Sequence, residues 1–95
     1  MDTFESMLYG ILFNDYAHAD KAGHDVVEDY TIDTCDTADC GWETAVWKGE
    51  GDMIIVERYA NKEAAIAGHN RWVEKCRTEH PTEAWSIQLD ATIQF

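Results

Sequence analysis

The chain has 95 residues, 19 of them Asp or Glu and 7 Lys or Arg, for a formal net charge of −12. That length fits one domain around one core, and such a charge disfavours direct contact with DNA or RNA while favouring encounter with positively charged surfaces. No apolar run approaches the ~18 residues of a membrane span. The start Met1-Asp2-Thr3-Phe4-Glu5 lacks the basic segment of a secretory signal, and the three cysteines are an odd number, so an intracellular protein with reduced thiols is expected.

Residues 4–16 place Phe4, Met7, Leu8, Ile11, Leu12 and Tyr16 at helical intervals with Asp2 or Thr3 as a cap, predicting a short N-terminal helix. Tyr9 to Phe13 also suits a short strand. Residues 17–24, small and polar, read as a connection. From Val26 to Cys35, Tyr30 and Ile32 alternate with Thr31 and Asp33, which predicts a strand with one solvated, acidic face. Cys35 to Gly41 reads as a turn-rich loop. Trp42–Trp47 and Met53–Tyr59 are β-prone runs around Lys48-Gly49-Glu50-Gly51-Asp52, a hairpin signal.

Asn61 suits a helix N-cap and Glu63 its first turn, with Ala65, Ile66, His69, Val73 and Cys76 recurring at helical spacing before Pro81 ends the helix. Trp85, Ile87, Leu89, Ala91, Ile93 and Phe95 alternate with mostly polar residues, predicting a long final strand bent near Asp90. The expected fold is a single α+β domain over residues 1–95. It is an antiparallel sheet of about four strands with one main helix on one face, plus the N-terminal helix.

Two groups of residues carry functional expectations. Cys35 and Cys40 in a loop, with Cys76 and His80 near a helix end, have spacings that suit a structural zinc site, His69 being a further ligand on that helix face. Against this, Cys76 and His69 also suit ordinary core positions, and Cys35 and Cys40 suit free thiols or a disulfide. The acids Asp25, Glu28, Asp29, Asp33, Asp36, Asp39 and Glu43 occupy a stretch with no Lys or Arg, predicting a ridge for Lys and Arg of a basic protein partner. The other use of such acids is to solvate an edge strand. An exposed tryptophan beside the ridge would add a hot spot. Catalysis is not expected: the cysteines lack positive surroundings, Gly49-Glu50-Gly51 has no following phosphate-binding helix, and no carboxylate pair stands out.

The segment Arg58-Tyr59 to Ala65-x-x-Gly68-His69 and on to Lys75, preceded by Trp42-Glu43-Thr44-Ala45-Val46-Trp47 and the opening Leu8-Tyr9-Gly10, resembles small acidic phage and prophage proteins. Proteins of this kind are similar in character to anti-CRISPR inhibitors. The resemblance implies a non-enzymatic, phage-encoded inhibitor acting in the cytoplasm of an infected or lysogenic bacterium. It would bind a basic surface of a type II CRISPR RNA-guided nuclease, block nucleic-acid loading and so evade host defence. The alternative is a phage accessory or structural protein whose acidity is only solvating. The Cys35/Cys40 loop departs from that family pattern, so zinc is expected from spacing alone.

Overall fold

A computed structural model describes residues 20–38 and 40–95. The expected N-terminal helix lies outside the described residues, as does Asp39. Four strands, β1 (Lys21–Val27), β2 (Tyr30–Thr37), β3 (Gly41–Lys48) and β4 (Ile54–Tyr59), form an antiparallel sheet in the order β1-β2-β3-β4. Helix α1 (Lys62–Glu79) packs against one face, and β5 (Glu83–Ser86) pairs with β6 (Ala91–Gln94) in a separate two-stranded sheet. The α+β class, the four-stranded sheet and the helix across it agree with the sequence.

The strand predicted over Val26–Cys35 is two strands. Val27 pairs with Tyr30 across the two-residue turn Glu28-Asp29, with Glu28 at φ 56°, and residues 21–24 belong to β1 rather than to a connection. Neither turn residue is glycine, and the turn interrupts the alternation for only two positions. At the other end β2 runs through Cys35 to Thr37, which takes these three residues out of the predicted loop. Thr37 Oγ1 closes that loop by accepting from Cys40 N at 3.1 Å and donating to Gly41 O at 3.2 Å.

Alternation then assigns the faces. Tyr30, Ile32 and Val46 face α1 and pack with Cys76, flanked by Val27, Val56, Trp72, Val73 and Phe95. On the opposite face Cys35, Ala45 and Ile55 form a second cluster with Trp47 and Met53. Burying each such Ile or Val side chain stabilises the fold by about 1.5–3 kcal/mol. Asp33 shares that second face and is 1% exposed, so the face is not the solvated one that alternation predicted.

Helix α1 starts as the sequence predicts: Asn61 Oδ1 accepts from Ala64 N at 2.9 Å, and Glu63 lies in the positive first turn. Its buried positions Ala65, Gly68, His69 and Cys76 make one stripe at three- and four-residue spacing. His80, at φ 47°, ends it in the left-handed conformation ahead of Pro81. Tyr30 donates to Pro81 O at 2.6 Å and ties this end to the sheet.

The predicted long final strand folds back on itself. Ser86 Oγ accepts from Leu89 N at 3.1 Å and Asp90 adopts φ 52°, turning the chain so that Trp85 pairs with Thr92. The turn reverses the parity: Ile93 is half-buried, whereas Trp85 and Leu89 are exposed. Ile87 N donates to Ile55 O at 2.9 Å, fixing the hairpin beside β4, and the Phe95 ring meets the Tyr30 ring edge-on at 5.7 Å.

Candidate functional site

The exposed acids cluster along β1 and its turn. Asp25 projects from β1, Glu28 and Asp29 form the β1–β2 turn, and Asp36 is exposed near the far end of β2, where its N–H donates to Asp20 O at 2.9 Å. Val26, the next residue on β1 and so on its other face, is 65% exposed. Two of these acids have histidine partners: Asp25 Oδ2 lies 2.6 Å from His69 Nε2, and Glu28 Oε2 lies 3.0 Å from His80 Nδ1.

Asp33 and Glu43 are not on that surface. Both are buried on the face away from α1; Lys21 Nζ donates to Asp33 at 2.8 Å, and Arg58 Nε donates to Glu43 at 3.1 Å. Among the described residues of the predicted ridge, Asp25, Glu28, Asp29 and Asp36 are exposed, while Asp33 and Glu43 hold strands together. The exposed tryptophan is Trp85, 54% accessible, on the hairpin beside β4 and so across the sheet from β1. Trp42 and Trp72 are partly buried under the ammonium groups of Lys62 and Lys75, at 5.8 and 5.0 Å from their ring centroids.

The four expected zinc ligands do not converge. Cys35 lies on the sheet face opposite to α1, whereas Cys76 projects from α1 onto the other face of the sheet. Cys40 is exposed, 3.8 Å from Arg58 Nη2, and His80 pairs with Glu28. Among the described residues no group of three or more His, Cys, Asp and Glu is disposed to hold a metal. Spacing alone treats Cys35 as a loop residue free to turn toward Cys40, whereas its place in β2 fixes its side chain on the face away from α1. No two of the cysteines form a disulfide, and burial pushes the Cys76 thiol up to about 11.

What the spacing did not reveal is a row of polar side chains crossing the whole sheet beneath α1. It starts at Asp25 on β1 and passes to His69 of α1. His69 Nδ1 is 2.8 Å from Thr34 Oγ1 of β2, which is 2.5 Å from Thr44 Oγ1 of β3, itself 2.8 Å from the Tyr59 hydroxyl of β4. Tyr59 donates to Glu57 Oε1 at 3.2 Å, and Glu57 also accepts from Trp72 Nε1 at 2.9 Å and Arg71 Nη2 at 3.0 Å. Two glycines make room. A Cβ on Gly23 would lie 2.5 Å from the His69 ring, and one on Gly68 would overlap the Tyr59 ring. The Tyr59 hydroxyl is pushed up to about 12, chiefly by burial.

Thr34 and Thr44 carry the one available sign in sequence, since both have the inward parity of Ile32 and Val46. Thr34 and Thr44 are fully buried, whereas Tyr59 at the β4 end of the row is only partly covered. Among the described residues no helix is long and apolar enough to cross a membrane. No family model, curated protein or solved structure matches the chain.

Proposed function

We propose that this domain is a non-enzymatic binder of a basic protein surface, and that Asp25, Glu28, Asp29 and Asp36 are its contact acids. The observation that carries the reading is the exposure of these acids along a terminal strand and its turn, beside an exposed Val26 on the other face of that strand. Basic side chains on a partner would pair with the exposed carboxylates at the edge of the sheet. A guanidinium would compete with His80 for Glu28. The phage-protein resemblance around Arg58-Tyr59 and Gly68-His69 makes the partner a type II CRISPR effector, whose nucleic-acid channels are basic, and the action a block of nucleic-acid loading.

The test is a pull-down of the purified chain with such an effector across a salt series. Capture at low salt that fades as salt rises, and that Asp29→Lys with Asp36→Lys abolishes, is the expected result. Absence of a complex at low salt would overturn the reading. Association with virion components, indifferent to the same charge reversals, would favour an accessory phage protein with a solvating surface.

A further inference from the structure

We infer that His69 is an imidazolium, protonated on both ring nitrogens because a one-way hydrogen-bond chain from Glu57 demands the second proton. A hydroxyl has one hydrogen to give, and a carboxylate only accepts. Tyr59 gives its hydrogen to Glu57, whose two oxygens also receive N–H groups from Trp72 and Arg71. The Tyr59 oxygen must then accept from Thr44. Thr44, its hydrogen used, accepts from Thr34, and Thr34 in turn accepts from His69 Nδ1–H. At the other nitrogen, the Asp25 carboxylate accepts from Nε2–H at 2.6 Å.

Every link is fixed by its neighbour, so the direction set at β4 reaches a ring at β1 across the width of the sheet. The charged groups around the ring are consistent with a buried cation. From β1 it faces the Asp25 carboxylate, with Gly23 flat against it. From β2 and β3 it faces the uncharged hydroxyls of Thr34 and Thr44, and β4 contributes Tyr59 and Glu57 at the end of the row, with Arg71 of α1 beyond. Lys21, His24 and Asp33 form a separate group on the opposite face.

The arrangement makes the attachment of β1 to α1 depend on a proton. Without it, Nδ1 and the Thr34 oxygen would meet lone pair to lone pair, and the row could be repaired only by turning every hydroxyl around. The residues from Arg58-Tyr59 to Gly68-His69 are thus the two halves of one device, Tyr59 setting the direction and His69 holding the charge.

The experiment is a long-range proton–nitrogen correlation spectrum of the imidazoles in the ¹⁵N-labelled full chain at neutral pH, with His69 assigned by its loss in His69→Gln. Both His69 nitrogens are expected to show attached protons. In Tyr59→Phe, Thr44 loses its acceptor and the chain can reverse, so the Nδ1 proton is expected to be lost while Nε2–H persists. Thr34→Val, which removes the acceptor of Nδ1–H, is expected to give the same loss. A single N–H in the wild type would overturn the inference, as would a doubly protonated ring that survives both substitutions. The wild-type spectrum decides the first point even where a variant does not fold.

Discussion

The aromatic ring of Tyr59 lies so close beneath Gly68 that even one methyl group on the helix would overlap it. The ring cannot move aside freely, since its hydroxyl is held by Thr44 and Glu57. Gly68→Ala is therefore expected to destabilise the fold by about 2 kcal/mol, because overpacking outweighs the ~1 kcal/mol gained in helix propensity. Urea unfolding measures this, and a raised midpoint would contradict the close approach.

A pH dependence follows from the same tyrosine. Its hydroxyl titrates near 10.0 when unfolded and at about 12 in the fold, where burial is the largest cause. The unfolded chain loses its proton first, so the stabilisation is fully present below pH 10 and disappears as pH rises toward 12. Because the hydroxyl is about half exposed, solvent screening cuts the loss to about 1 kcal/mol or less, and Tyr59→Phe, less stable at neutral pH, should show a shallower alkaline decline. Burial raises the Tyr30 hydroxyl in the same direction, so some decline persists in the variant. Equal slopes for the two proteins would count against the assignment.

Asp33 and Asp29 separate structural from surface acidity. Asp33 is buried with its carboxylate on Lys21, so Asp33→Ala, which opens a buried position while leaving an exposed ammonium, should lower unfolding free energy by about 1–2 kcal/mol. Asp29 is exposed and contributes its carbonyl, which accepts from Gly49 N at 2.8 Å and survives substitution. Asp29→Asn should change stability by less than about 0.5 kcal/mol. Similar losses for both would remove the distinction between ridge and interior.

The cysteines offer a test of the absent convergence. Cys40 is exposed, whereas Cys35 and Cys76 are buried and the Cys76 thiol is pushed up to about 11. Brief alkylation of the native chain should label Cys40 alone, with the other two reacting after denaturation. Chelator treatment should leave both this pattern and the melting temperature unchanged. Protection of Cys40 that a chelator abolishes would restore the zinc reading.

Local signals read well wherever the chain itself supplies the partner. Asn61 caps a helix three residues ahead, Pro81 stops it, and Gly49 with Gly51 turns the β3–β4 hairpin, all within a few positions. Errors arose where local patterns were equivocal. Glu28-Asp29 turns without glycine or proline, so two strands read as one. The alternation from Trp85 to Phe95 continued in sequence through a turn that only Ser86 and Asp90 mark. The neighbours Asp36 and Thr37 give Cys35 a loop-like context, yet all three belong to β2.

The sequence by itself determined the composition of the acidic half, the helix from Lys62, the central hairpin and the inward parity of Tyr30 and Ile32. These depend on periodicity and on residues close in the chain. Only the tertiary structure decided which acids are exposed, which cysteines share a face, and that Asp25, Thr34, Thr44, Glu57, Tyr59 and His69 form one row. Five elements contribute to that row, and its members meet through strand register and the height of α1 above the sheet. Spacing along the chain fixes neither, because register is a property of the paired strands and the turns that join them.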